Sequence, residues 1–207
     1  MTPPKVHDYL YQIGTEWRGE GVAMELGCWL GASSIPLLKG LVEAGYDKPY
    51  YCYDRWKAND QQIGIAAESG VRLKLKQDIQ PLFYDNVSGI YDNIQCLKGN
   101  IDETVELYPG DPIEICIYDA PKRNPTFEHT TKVLSKYWIP GVTTWGLLDY
   151  YFYLKHSNAS KERREFAAPV AFMERNKSNF VITREWNKNY ASCVFFRYMG
   201  GELKFNI

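Results

Sequence analysis

Several things are scarce in this chain, and each scarcity closes a class of function. Cysteine is one. There are five among 207 residues, Cys28, Cys52, Cys96, Cys116 and Cys193, an odd number, widely scattered and with no CxxC pair. That argues against a disulfide scaffold or a zinc ribbon and for small buried thiols in a reducing compartment. Surplus charge of either sign is also missing: 24 Lys and Arg stand against 25 Asp and Glu, a formal net charge of −1. No basic field exists to drive non-specific nucleic-acid binding. Long apolar runs are absent, none approaching the ~18–20 residues that span a bilayer, and the start MTPPKVHDYLYQ has no signal-peptide core. No repeat, low-complexity tract or Gly/Ser/Pro linker interrupts the sequence. The expectation is one cytoplasmic domain over residues 1–207, with no nucleic-acid and no membrane partner. Within it we expect an N-terminal helix over 1–20, a core over 21–155, and a helix with a terminal hairpin over 156–207. What the chain has in quantity is aromatic: Tyr 16, Phe 9 and Trp 6 make up 15% of it.

The hydrophobic period alternates between helix and strand. Leu10, Ile13 and Trp17 give residues 6–17 helical spacing. Residues 21–27 form a short apolar run closing on glycine, which predicts a buried strand. Residues 33–44 read as a helix that tolerates Pro36 because it lies in the first turn. Strands follow at 50–54, 94–98, 113–119 and 142–148, the third of these β-branched and closing on aspartate. Helical patterns occupy 59–87, 102–107 (capped by Asn100 or Asp102), 127–138 and 161–177. Residues 180–186 and 191–198 face each other across 187–190 as an antiparallel hairpin. Five strand–helix alternations imply a doubly wound α/β sheet of the Rossmann-like kind, mostly parallel, and the hairpin extends it to seven strands. In such sheets a ligand lies beyond the C-terminal strand ends at the topological switch point. Glu25, Asp54, Asn100, Asp119 and Asp149 all fall at or just past predicted strand ends.

Three segments there carry recognisable chemistry. Glu25-Leu-Gly27-Cys-Trp-Leu-Gly31-Ala-Ser33 joins a strand to a helix, and its glycines let backbone approach a ligand closely. The G-x-x-x-G spacing is neither the G-x-G-x-x-G of dinucleotide sites nor a P-loop, so a nucleoside without a pyrophosphate suits it better. This also disfavours an NAD-type oxidoreductase. Asp54, in Tyr-Cys-Tyr-Asp54-Arg-Trp56, offers a carboxylate for two ribose hydroxyls, or else a turn or a local pair with Arg55. Trp56 and Tyr53 either flank an adenine or pack in the core. Gly99-Asn100 offers close approach and an amide that donates and accepts at once, which suits an adenine edge as it does a turn.

Taken together, Glu-x-Gly-x-x-x-Gly-x-Ser, Tyr-Asp-x-Trp, Lys-Gly-x-x-x-x-Thr, Ile-Tyr-Asp119 and Trp138-Ile-Pro-Gly141 resemble class I S-adenosylmethionine-dependent methyltransferases. More narrowly they are similar to small-molecule O-methyltransferases of the macrocin type, across roughly residues 20–155 by motif. The resemblance implies S-adenosyl-L-methionine held by the Gly27–Gly31 loop with Glu25 and Ser33, its ribose on Asp54 beside Trp56, and its adenine near Gly99 and Asn100. Asp119 lies at the same edge. The family's acidic residue after the third-motif glycine is here Asn100. Its divalent-metal motifs, Asp-Gly-Asp and Asp-Asp-Tyr, are here Asp119-Ala-Pro-Lys122 and Leu148-Asp149-Tyr150. Half of the ligands are missing, which weighs against Mg²⁺.

The implied reaction is methyl transfer to a hydroxyl of a small polar molecule such as a sugar or natural product. Its alternative is a divergent, non-catalytic nucleoside-binding protein that acts as a partner subunit. Hydroxyl methylation requires a base. Asp119 and Asp149 are candidates by position, and His156, just past the Tyr150–Lys155 run, by imidazole chemistry. His129 reads as a surface histidine of its helix. Lys122 and Arg123 read as a solvated loop or as a site for an acidic acceptor. The aromatic residues concentrated at 50–56, Trp29 and 150–153 are expected to share between core packing and the walls of a pocket, and such surfaces also serve homo-oligomer interfaces.

Overall fold

The computed structural model describes residues 3–150, 168–186 and 192–206. Its strands are β1 (Val22–Leu26), β2 (Tyr50–Asp54), β3 (Ile94–Lys98), β4 (Ile113–Tyr118), β5 (Thr144–Leu147), β6 (Phe180–Glu185) and β7 (Val194–Tyr198). They form one sheet in the order β3-β2-β1-β4-β5-β7-β6. β1 to β5 pair in parallel, while β7 runs antiparallel to both β5 and β6. The doubly wound sheet and terminal antiparallel pair are thus as expected from the alternation of periods. The ladder is shorter than its apolar runs in one place: Val142 and Thr143 turn back to the Ile139 carbonyl and precede β5.

The helices are α1 (Pro4–Thr15), α2 (Ser34–Glu43), α3 (Asp60–Glu68), α4 (Gln80–Val87), α5 (Ile101–Thr104), α6 (Thr126–Leu134) and α7 (Ala168–Asn176). Prolines at the start of α1 and α4 sit where a missing N–H costs nothing. The helical stretch expected over 59–87 holds two separate helices. Asn59 and Gln62 close a capping box on α3, and Gly70, at φ 78°, takes the left-handed conformation that ends a helix. The chain between the two helices bonds back to Ala58, ahead of α3: Ala58 N donates to Gln77 O and Lys76 N to Ala58 O. Asn100 does occupy the N-cap position of α5, though without a side-chain capping bond. Of the helix expected over 161–177, residues 161–167 lie outside the described residues, as does the 187–190 connection of the hairpin.

Side chains alternate across the sheet and make two cores. On one face Ala23, Tyr50, Cys52, Ile115 and Ile117 pack against α1, α2 and α4. On the other, Met24, Leu26, Tyr53, Cys116 and Trp145 pack against α6 and α7. Trp145 is the hub of the second core, with ring centroids of Trp138 at 4.8 Å, Tyr118 at 5.4 Å, Phe180 at 5.5 Å and Phe172 at 5.9 Å. Four of the five cysteines are buried and all five are free thiols. Buried Glu114 accepts from the amides of Arg18, Glu20 and Gly21, tying the entry to β1 onto β4.

Helices α1 and α2 cross backbone to backbone. A Cβ on Gly14 would lie 2.6 Å from the Leu37 carbonyl oxygen, and one on Gly40 would overlap the Tyr11 carbonyl oxygen. Gly40→Ala gains about 1 kcal/mol of helix propensity but forces the two helices apart, and overpacking costs about 1–3 kcal/mol. We expect the second effect to win, with a thermal midpoint lowered by a few degrees; an unchanged or higher midpoint would contradict this packing.

Candidate active site

The order of the sheet reverses between β1 and β4, and the loops leaving these two strands diverge to opposite faces. Backbone closes tightly there. Gly27, at φ 97°, donates to the Tyr53 carbonyl at 2.7 Å, and a Cβ on it would sit 2.8 Å from the Ala120 nitrogen. Asp119 N donates to Leu26 O at 2.8 Å. Gly27 therefore answers to the approach of the β4 end. Gly31, at φ 90°, begins the turn into α2.

Asp54, at the end of β2, binds the loops on either side of it. Its Oδ2 accepts from Trp29 N at 2.8 Å and its Oδ1 from Trp56 N at 2.7 Å. Both tryptophans are left-handed, at φ 44° and 45°. The Trp56 indole donates to the Trp29 carbonyl at 3.1 Å. A carboxylate offers about four lone-pair sites, so two remain on this half-buried side chain for outside donors. Trp56 itself is fully buried against Phe83, with centroids 5.3 Å apart. Tyr53 is buried in the opposite core. Of the two readings open for these rings, core packing is the one the geometry satisfies.

Glu25 is also fully buried. Oε1 accepts from the Ser33 hydroxyl, and Oε2 from the Ser34 hydroxyl and, at 3.0 Å, the Tyr50 hydroxyl. Burial dominates these three neutral donors and pushes the carboxyl up to about 7. The side chains of Glu25 and Ser33 are thus turned on each other, fixing the start of α2 to β1.

Past β4 and β5, the Lys122 ammonium bridges Asp119 Oδ1 at 2.8 Å and Asp149 Oδ2 at 2.6 Å. Asp149 is left-handed, at φ 66°. Burial raises the Asp119 carboxyl above its ordinary range, opposed by Lys122 and reinforced by Asp149. Three of the five non-glycine residues at positive φ among the described residues, Trp29, Trp56 and Asp149, lie just past the ends of β1, β2 and β5; Lys76 and Ser192 are the others.

At the end of β3, Gly99 N donates to Asp54 O at 3.0 Å, and exposed Asn100 follows. Asp102 accepts from Thr126 on α6. The structure therefore gathers Glu25, Gly27, Gly31, Ser33, Asp54, Gly99, Asn100, Asp119 and Asp149 along one edge. It does not bring His129 to the carboxylates: Nε2 lies 3.2 Å from Glu106 Oε1. His156 and residues 151–155 lie outside the described residues. Two features escaped the sequence. The i,i+3 spacing of Asp119 and Lys122 was visible, but the contact of Lys122 with Asp149 is non-local. No pattern announces that a tryptophan will be left-handed.

No protein-family profile matches the chain, and no curated protein matches it by sequence. Solved structures do. The O-methyltransferase TomG from Streptomyces achromogenes, of tomaymycin synthesis and in complex with SAM, is 14% identical with a TM-score of 0.63, over 97% of this chain and 82% of that one. The SAH-bound methyltransferase PaMTH1 from Podospora anserina is 11% identical with a TM-score of 0.60, over 96% and 80%. CalS11, a TDP-rhamnose 3′-O-methyltransferase of calicheamicin biosynthesis, is 13% identical with a TM-score of 0.55, over 92% and 76%. These likenesses establish the fold as that of the Rossmann-like methyltransferases. Among the described residues no helix is long and apolar enough to cross a membrane.

The Glu25 environment yields a signed prediction. With its carboxyl raised from 4.5 to about 7, the folded state keeps a proton that the unfolded chain has released. Stability from this group is complete below the unfolded value and is lost as pH rises through the folded one. Glu25→Gln keeps the hydroxyl contacts and has nothing to titrate. Its stability relative to the parent should rise between pH 5 and 8, by on the order of 3 kcal/mol. Denaturant melts of both proteins at each pH check this, and a pH-independent difference would refute it.

Proposed function

We propose that the chain transfers a methyl group from S-adenosyl-L-methionine to a hydroxyl of a small polar molecule. The observation that carries the reading is the convergence, on one edge of a methyltransferase fold, of a glycine turn, a ribose-competent carboxylate and a pair of carboxylates beyond β4 and β5. The donor set suits the cofactor. Asp54 has acceptor capacity left for ribose hydroxyls, and Asn100 presents an exposed amide able to donate and accept. Gly27 and Gly31 keep the adjoining turn low. Glu25 acts through Ser33 and Ser34, as a positioning residue for the loop.

S-adenosylmethionine, when bound, supplies a sulfonium methyl that the acceptor oxygen takes in one displacement, giving the methyl ether, S-adenosylhomocysteine and the hydroxyl proton. Holding two reactants in line contributes up to about 7–11 kcal/mol, which is the task of the strained, hydrogen-bonded loops. Asp119, at the end of β4, receives the proton; burial raises its carboxyl above the ordinary range and Lys122 opposes the shift. The Lys122 charge is shared between two carboxylates, which favours a neutral hydroxylated acceptor over an acidic one. A sugar fits that description, as does the TDP-rhamnose substrate of CalS11 at its sugar end.

S-adenosylhomocysteine should bind in titration calorimetry with one site per chain, and no binding at high micromolar concentration would overturn the reading. With an acceptor identified by an unbiased metabolite screen, Asp119→Asn should lower kcat by about 10²–10⁴ while leaving S-adenosylhomocysteine affinity nearly unchanged. Retained turnover in that variant would move the base to Asp149 or His156.

A further inference from the structure

The edge of the sheet where the resemblance places a divalent metal has side chains that do not fit one. Mg²⁺ requires near-octahedral oxygen ligands at about 2.0–2.1 Å. Here Asp119 Oδ1 and Asp149 Oδ2 converge instead on an ammonium nitrogen, at 2.8 and 2.6 Å, the lengths of charge-assisted hydrogen bonds. A metal ion on the same two oxygens would sit against that ammonium, three positive charges facing two negative ones.

The lysine is built into the position. It lies three residues after Asp119, beyond the buried Pro121 of a turn leaving β4, and its own side chain is only 21% exposed. Asp149, two residues past the end of the neighbouring β5 and left-handed at φ 66°, reaches the same ammonium that Asp119 does. A solvated loop lysine would not join the ends of two neighbouring strands.

We infer that Lys122 is the resident cation of this site. Its ammonium takes the place of a divalent metal between Asp119 and Asp149, holds the ends of β4 and β5 in register, and sets the relative positions of the two carboxylates. That those carboxylates then face an acceptor hydroxyl rests on the methyl-transfer reading; the exclusion of a metal does not.

The test uses Mn²⁺ as probe with the full chain, followed by the electron paramagnetic resonance signal of the free ion and by thermal melting, with circular dichroism as the check on folding. The parent protein should leave the free Mn²⁺ signal undiminished and melt at the same temperature with Mn²⁺ or EDTA. Lys122→Ala uncovers two facing carboxylates. It should take up one Mn²⁺ per chain and melt higher when the ion is present, and the further change Asp149→Asn should abolish both effects. Where Lys122→Ala does not fold, Lys122→Met, which keeps the bulk of the side chain and loses only its charge, is read in the same way. One-to-one uptake by the parent that is lost in Asp119→Asn would overturn the inference, as would a folded Lys122 variant that takes up no ion. Neither outcome depends on S-adenosylhomocysteine binding, so failure here and failure of the methyl-transfer reading are separable.

Discussion

The ends of the first three strands meet at one aspartate, and its carboxylate holds two of them. Asp54 holds the amides of Trp29 and Trp56, both in the left-handed region, and its own carbonyl takes the amide of Gly99. A bulky residue held left-handed costs on the order of 1–3 kcal/mol, and a hydrogen bond to a charged acceptor contributes roughly 1.5–3 kcal/mol. The two effects are of the same size, so the strained turns persist because the aspartate is there. The indole of Trp56, buried and bonded to the Trp29 carbonyl, closes the same loop from below. Gly27 and Gly31 are positioned as a consequence, since the chain between them carries Trp29.

Other carboxylates, at both ends of the sheet, are satisfied by different kinds of donor. Glu114 is capped by backbone amides, Glu25 by hydroxyls, and Asp119 with Asp149 by an ammonium. The differences matter because burial costs a charge more than it costs a dipole. Glu25, with only neutral partners, rises to about 7. Asp119 is raised by the same cause but restrained by Lys122. One edge of the sheet thus carries Glu25, pushed up to about 7 by burial, beside Asp119, whose carboxyl is raised but held by the Lys122 ammonium.

Much of this architecture was legible in the sequence because strand periods and their closing residues are local. Residues 94–98 form the strand that their pattern predicts, Asp54 closes β2 as expected, and Asp119 falls one residue past the end of β4. The division of 59–87 into two helices went unseen, since the capping box at Asn59 and the left-handed Gly70 are weak signals inside a polar stretch. The site was legible as an edge but not as a set of contacts. Glu25, a candidate for the ligand, accepts from Ser33, Ser34 and Tyr50; Tyr50 pairs with Ala23, two residues before Glu25, so only the folded sheet brings its hydroxyl to the carboxyl. Lys122 was read from its neighbours in sequence, and the residue that defines its position, Asp149, lies on another strand.

The aromatic surplus divides in a way that has an optical consequence. Trp138 and Trp145 lie 4.8 Å apart inside a cage of Phe and Tyr rings on the face of α6 and α7, close enough for their excited states to mix. The Trp56 indole, by contrast, donates to the backbone carbonyl of Trp29 on the opposite face, at the glycine turn. The near-ultraviolet spectrum therefore carries one close tryptophan pair, and that pair reports the integrity of the β5–β7 side.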